Sequence, residues 1–148
     1  MFQIKGPAIF LAQYLPPAAE SASLADLCSW AASLGYKGVQ IPTWDSRIFD
    51  LQKASESQAY CDDVMGICRD AGVEITELSS HFQGQLVACH PAYSSSLDIL
   101  VDQDFQDDNS ARTEWATNQL IFAAKASARL KLSAHATFSG SLLWHTMY

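Results

Sequence analysis

The stretch Leu34-Gly-Tyr-Lys-Gly-Val-Gln-Ile-Pro42 decides the fold, because it ends one element and begins the next with almost no connection. Before it, apolar side chains recur on one helical face, with a serine at residue 23 and a glycine at residue 35. Serine caps and C-terminal glycines are typical of helix ends. The apolar run that follows the glycine predicts a short strand.

The same junction recurs at Ala71-Gly-Val-Glu-Ile75, where a second helical pattern stops at a glycine and an apolar run begins. Alternating strands and helices with short connections predict an α/β fold with a parallel sheet, because parallel neighbours need a crossover. The predicted strands are residues 8–12, 36–42, 73–78 and 132–138, and the predicted helices are residues 23–35, 58–71 and 111–130.

The connections after the strands carry no glycine-rich phosphate loop, since neither GxGxxG nor GxxxxGK[ST] occurs. This argues against a dinucleotide-binding sheet and favours a barrel-type arrangement, in which the chemistry lies at the carboxyl ends of the strands. Residues 94–110 are mostly Ser, Asp, Gln and Asn, and are predicted to form a surface loop insertion within a single domain of residues 1–148.

Composition narrows the classes of function. A hydrophobic content of 49% over 148 residues is enough for a substantial core. A net charge of -7 with only nine Lys and Arg argues against nucleic acid as a partner, because phosphate binding depends on basic side chains. The sequence has no signal-peptide pattern and no apolar run long enough for a membrane span, so a cytoplasmic location without membrane partners is expected.

The four cysteines, at positions 28, 61, 68 and 89, form no CxxC pair. Three of them fall inside apolar helical patterns. They are interpreted as reduced core thiols, with a disulfide or a zinc site as the alternative.

Polar and aromatic residues near the ends of the predicted strands are the candidate site. His81 follows the third predicted strand and His135 lies on the fourth, so the two histidines could hold a metal or polarise a sugar hydroxyl or carbonyl. The alternative for His135 is a buried histidine satisfied by backbone. The stretch from Glu77 to Pro91 is interpreted as the loop after the third strand. The candidate substrate-binding residues are Gln40, Trp44, Asp45, His81 and Gln85, and the candidate metal ligands are His81, His135 and Glu77.

Some of these assignments stay open at the level of sequence. Glu77 alternates with Ile75, so its side chain faces either a barrel interior or the helices. Trp44 is either a platform for a sugar ring or a loop residue packed over the end of the sheet. His90 fits a helix or loop cap better than a ligand, and His145 lies too near the chain end to be assigned a role.

Three segments resemble the xylose isomerase-like superfamily. They are Ala31-Ala-Ser-Leu-Gly-Tyr-Lys-Gly-Val-Gln-Ile-Pro42, Ala71-Gly-Val-Glu-Ile-Thr-Glu-Leu-Ser-Ser-His81 and Ser133-Ala-His-Ala-Thr-Phe-Ser-Gly140. That group contains sugar-phosphate isomerases and epimerases and, more distantly, endonuclease IV. Its members are (β/α)8 barrels, so the resemblance implies parallel (β/α) units of a TIM barrel, about half a barrel with four strands in this chain.

The resemblance also implies an activity. A divalent metal ion, Mn, Mg, Co or Zn, would act as a Lewis acid on adjacent oxygens of a sugar or sugar phosphate. In the isomerase branch the principal metal ligands come from the last four strands. A full barrel takes about 250 residues, so the expectation is an N-terminal half that lacks those strands.

Two other functions are weighed against the isomerase or epimerase. One is a non-catalytic half-barrel that self-associates, as a homodimer or a larger assembly, or binds a partner chain, because its edge strands would be open. The other is a nuclease of the endonuclease IV type, which the acidic balance of the chain disfavours.

Overall fold

The computed structural model describes residues 6–101, 103–106 and 108–140, and in that part strands and helices alternate along the chain. The strands are β1 (Ala8–Phe10), β2 (Gly38–Pro42), β3 (Glu74–Ser79) and β4 (His135–Ala136). The α-helices are α1 (Leu24–Ser33), α2 (Leu51–Glu56), α3 (Gln58–Asp70), α4 (His81–Leu86) and α5 (Asn109–Arg129), and 3-10 helices cover Leu11–Tyr14, Pro91–Leu100 and Gln103–Phe105.

The four strands form one sheet in the order β1-β2-β3-β4, and every pair is parallel. The predicted α/β class with a parallel sheet is therefore confirmed. Each strand lies beside the next one in the chain, so the order does not reverse anywhere among the described strands. Crossovers that advance in one direction with one hand put their helices on the same face of the sheet.

The two junctions seen in the sequence are built as predicted. The hydroxyl of Ser23 accepts a hydrogen bond from the backbone N–H of Asp26 at 3.3 Å and caps α1. Gly35 and Gly72 have φ angles of +90° and +84°, which is the left-handed conformation that a glycine adopts after a helix at little cost. The chain turns directly from α1 into β2 and from α3 into β3.

The hydrophobic core lies between one face of the sheet and the helices. Val39, Ile41 and Leu78 are fully buried there, and Ile9 and Ile75 pack against them. None of the four cysteines, all of which are among the described residues, forms a disulfide bond, and Cys28, Cys61 and Cys68 are buried in this layer. The Cys28 and Cys68 sulfurs lie 3.7 Å apart.

The opposite face of the sheet is more open. Ala8 is exposed, and Phe10, Gln40 and Glu77 are half-buried. A Cβ atom on Gly38 would come within 2.6 Å of the Thr76 methyl group and 3.2 Å of the Ala8 Cβ, so these residues lie side by side on this face. We call it the open face.

A β-bulge decides which way Glu77 points. Val39 pairs with Ile75, but the next residue of β2, Gln40, pairs with Glu77, so Thr76 is an extra residue in β3. Its hydroxyl donates to the carbonyl of Val39 at 3.1 Å. The extra residue shifts the alternation of β3 by one position, and Glu77 therefore lies on the open face and not on the side of Ile75.

Several predicted boundaries were wrong. The stretch from Glu77 to Pro91 is not a loop, because β3 continues to Ser79 and α4 begins at His81. The N–H of Gly84 donates to the carbonyl of Ser80 at 2.8 Å, which closes the first turn of α4. The first and fourth strands are shorter than predicted, and helix α2 was not predicted.

The polar segment at residues 94–110 carries 3-10 helices and the first turn of α5. Leu97 is buried there against Leu86 and Ala116. Arg112 is 1% exposed and holds the segment in place from α5, donating to Ser94 O at 2.6 Å and to Phe105 O at 3.2 Å, and also to Asp98 and to Gln106 O. Within the described residues, no helix is both long and apolar enough to span a membrane.

Candidate functional site

A hydrogen-bonded amide and carboxylate lie at the centre of the open face. The side-chain amide of Gln40 donates to Glu77 Oε1 at 2.6 Å, and both side chains are half-buried. Gln40 and Glu77 are register partners on β2 and β3, so the sheet itself holds the pair together. A carboxylate can accept several hydrogen bonds, which leaves Glu77 able to bind a further donor.

His81 follows β3 directly and begins helix α4. Its Nδ1 atom is hydrogen-bonded to the hydroxyl of Ser79, which fixes the orientation of the ring. Three aromatic rings surround it, with centroids 5.6 Å away at Phe10, 6.4 Å at Trp44 and 4.8 Å at Phe138. The polar edge of the imidazole thus sits in a largely aromatic environment at the carboxyl ends of the strands.

His135 is held by two serine hydroxyls. Its Nε2 lies 2.9 Å from the hydroxyl of Ser80 and its Nδ1 lies 3.2 Å from the hydroxyl of Ser127. Burial lowers the pKa of His135 below its usual value; the nearby charge of Glu77 opposes this shift and His81 adds to it. His135 is therefore a neutral, hydrogen-bonded imidazole near neutral pH. Its partners are serine side chains and not the backbone groups that the alternative interpretation from the sequence had named.

A buried polar network continues from Ser80. The Ser80 hydroxyl lies 3.2 Å from the hydroxyl of Thr43, which donates to Ser79 O at 3.0 Å, and Gln83 Nε2 donates to Thr43 at 3.3 Å. A serine hydrogen-bonded to a histidine resembles a nucleophile and its base. The buried Ser80 hydroxyl is hydrogen-bonded to both Thr43 and His135, however, and the network serves to join the ends of β2, β3 and β4.

Trp44 and Asp45 follow β2 as predicted, but they have different surroundings. The Trp44 ring stacks on Phe82 with centroids 4.4 Å apart. Asp45 forms an ion pair with Arg47 at 2.5 Å, and the hydrogen bonds from this guanidinium hold the pKa of Asp45 below its usual value. Arg47 also donates to the carbonyl oxygens of Pro16, Pro17 and Glu20. Asp45 therefore fastens the segment after β1 to the segment after β2.

The remaining candidates are dispersed. Gln85 lies on α4 and is 7% exposed, within the body of the protein. His90 accepts from the N–H of Ala92 at 3.2 Å and caps a 3-10 helix, as predicted. His145 lies outside the described residues. The structure therefore brings Gln40, Glu77, His81, His135 and Trp44 to one end of the sheet and leaves the others apart.

The described residues do not make a metal site by themselves. In this part of the chain no group of three or more His, Cys, Asp or Glu side chains is arranged to hold a metal ion. Both nitrogens of His135 and one nitrogen of His81 are already hydrogen-bonded to serines. A metal at His81, His135 and Glu77 stays a prediction.

Sequence reasoning missed several residues of this region. The serines at positions 79 and 80 stand at the end of a predicted strand, so the rule that selected His81 also points to them. Ser127 and Phe138 carried no such signal, because only the tertiary fold brings α5 and the segment after β4 to the histidines.

Comparison with known proteins finds no protein-family model and no curated protein that matches this chain.

Proposed function

We propose that this chain binds a sugar or sugar phosphate at the carboxyl ends of its strands, as part of a barrel-type isomerase or epimerase. The observation that supports this most is the Gln40–Glu77 pair on the open face, next to the imidazole of His81. Sugar hydroxyls are both donors and acceptors, and an amide bonded to a carboxylate offers both in a fixed geometry.

Each part of the site has a role in this proposal. The rings of Phe10, Trp44 and Phe138 provide apolar surface for the C–H face of a sugar. Isomerisation or epimerisation next to a carbonyl needs a base that removes a proton from carbon. Isomerisation then delivers a proton to the neighbouring carbon, and epimerisation delivers one to the opposite face of the same carbon. Glu77 is assigned the role of the base, and the free ring edge of His81 is assigned to the carbonyl or hydroxyl oxygen.

The exposure of one face of the sheet and the order of its strands support the proposal of a barrel. Parallel sheets are normally covered on both faces, yet here Ala8 is exposed and Gln40 and Glu77 are half-buried on the open face. In a barrel that face turns inward, and strands that follow one another without reversal are the order a barrel requires.

The test uses the whole chain and two readouts. D-Xylose, D-fructose and fructose 6-phosphate are titrated while amide shifts are followed by NMR, and each sugar is incubated with the protein in D2O. We expect millimolar or tighter binding with shifts near Gln40 and His81. A proton transfer at carbon would replace one C–H signal of the sugar by deuterium.

Two variants localise the effect. Glu77→Gln should weaken sugar binding at least tenfold and abolish deuterium incorporation, because the amide accepts more weakly and takes up no proton. Glu74→Gln, at the exposed start of the same strand, is the matched control and should leave both unchanged. Equal behaviour of the two variants would contradict the assignment of Glu77, and no binding of any of the sugars would contradict the proposal.

A second candidate function is a non-catalytic half-barrel that self-associates or binds a partner chain. The half-exposed open face favours it, and so do the outer edges of β1 and β4, which pair with no other strand of the described residues. Sugar binding without deuterium incorporation, together with a stable assembly in solution, would support it.

A further inference from the structure

The molecule has a second concave region beside the stacked rings of Trp44 and Phe82. This cleft has a volume of about 620 Å3, and its walls are the segment after β2, the start of α2, helix α4, the 3-10 helix Pro91–Leu100 and helix α5. We propose that it is a binding site, separate from the sugar site, for a neutral aromatic molecule that carries an N–H or O–H donor.

The donor is required by Gln83, which lines the cleft. Gln83 is 2% exposed, and its Nε2 donates a hydrogen bond to the hydroxyl of Thr43. Its Oε1 is a buried acceptor that no group of the described residues reaches. Buried acceptors in native proteins nearly always have a partner, so an unpaired one in the wall of a cleft indicates the place where a ligand donates.

The aromatic character follows from the walls. Trp44 and Phe82 form one side as a stacked pair, and Trp115 lies among the lining residues on α5, with its ring centroid 5.8 Å from that of Phe105. Ile99 also lines the cleft and is 89% exposed. A flat apolar molecule would cover both the rings and this isoleucine, and so would remove apolar surface from water.

The charge of the lining disfavours a sugar phosphate in this cleft. Of the described residues that line the cleft, none is Lys or Arg, and the one carboxylate, Asp50, caps α2 and pairs with Lys53 at 3.8 Å. A phosphate would find no cation there, whereas a neutral molecule would meet no unpaired charge. Gln40 and Glu77 are not among the lining residues, so the two sites share only Trp44.

A pair of isomers tests the donor. 3-Methylindole and 1-methylindole have the same size and shape class, but only the first keeps the indole N–H. Each is titrated into the full chain and the shifts of the side-chain N–H groups of Gln83 and Trp115 are followed by NMR. We expect 3-methylindole to bind about tenfold more tightly, with the shifts centred on the cleft. Equal affinities, shifts elsewhere, or no binding of either isomer at 10 mM would overturn the proposal.

Variants separate the acceptor from the rest of the cleft. Gln83→Met removes the acceptor and should erase the preference between the isomers, while Gln119→Met, which also changes a lining glutamine, should preserve it. If Gln83→Met does not fold, Ile99→Ser serves instead, and should weaken both isomers to the same degree. The proposal would be overturned if Gln83→Met still bound 3-methylindole more tightly than 1-methylindole. It would also be overturned if Ile99→Ser weakened the binding of the two isomers to different degrees.

Competition with a sugar tests whether the two sites are separate. D-Xylose added to the same sample should not displace 3-methylindole, because the sugar binds on the open face. Displacement would overturn the claim of two separate sites, while indole binding without any sugar binding would contradict only the function proposed above.

Discussion

At the scale of single residues, His135 couples the folded state to pH. Its ring is buried between Ser80 and Ser127, and burial keeps its pKa below the usual value. In the unfolded chain the same ring has a pKa of about 6.5. Between the two pKa values the unfolded state binds the proton and the folded state does not, so acid favours unfolding in that window.

The prediction is that the free energy of unfolding falls as pH is lowered from about 7 through about 6.5 and continues to fall until the lower, folded-state pKa is passed. Urea unfolding at several pH values measures it. His135→Gln should flatten this part of the profile. A profile of His135→Gln that matches the wild type would assign the proton uptake to another group.

Substitution by alanine is predicted to change the free energy of unfolding in opposite directions at two helical glycines. A Cβ on Gly84 would lie 2.2 Å from the carbonyl oxygen of Phe138, whereas a Cβ on Gly66 would meet nothing closer than an Arg69 nitrogen at 3.7 Å. Gly84→Ala should lower the free energy of unfolding by about 1 to 3 kcal/mol, because backbone must move. Gly66→Ala should raise it by about 0.5 to 1 kcal/mol, since alanine favours a helix. Chemical denaturation of both variants is the measurement, and a stabilised Gly84→Ala would show that α4 does not pack this closely on that segment.

At the scale of elements, the length of a helix decides whether the sequence predicts it. Helices α1, α3 and α5 have caps and repeating apolar positions over ten or more residues, and the sequence predicts them to within a few residues. Helices α2 and α4 were not predicted, and each has six residues. Helices of that length have too few residues for a periodic pattern, and packing against the rest of the fold determines them.

The segment before α5 depends on one buried cation. Arg112 donates to carbonyl oxygens of the segment and to Asp98, and its side chain is 1% exposed. Arg112→Leu should lower the free energy of unfolding by about 2 to 3 kcal/mol, because buried acceptors lose a charged donor. Hydrogen exchange should also rise over residues 91–106.

Lys125→Leu, on the exposed side of the same helix, is the control for that change and should have little effect on stability or exchange. Unchanged exchange over residues 91–106 in Arg112→Leu would mean that the buried contacts of Leu97 suffice to hold the segment.

At the scale of the whole molecule, the general location of the site was predictable and its contacts were not. The alternating elements predict a parallel sheet, and the rule for strand ends then selects Gln40, Trp44, His81 and His135. The bulge at Thr76, which turns Glu77 to the open face, left no sign in the sequence. Nor did the contacts of Arg47, because it binds the backbone carbonyl oxygens of Pro16, Pro17 and Glu20, a group that every residue possesses.

The open face and open edges predict self-association of the isolated chain. Light scattering at increasing protein concentration should give a mass above that of one 16.2 kDa chain. Phe10→Ser, on the open face, should weaken the assembly, whereas Tyr14→Ser, on the surface beyond β1, should not. A monomeric mass at all concentrations would contradict the prediction.

Because the strands follow one another in one direction across the sheet, the two edges of each copy differ: one is β1 and the other is β4. Such a copy resembles a unit of a directional polymer. Copies that extend the parallel sheet must place the β4 edge of one against the β1 edge of the next. Such head-to-tail contacts close into a ring only when the rotation per copy divides a full circle, and they otherwise continue as a filament. The angle between successive copies thus determines whether the solution contains discrete rings or viscous fibres.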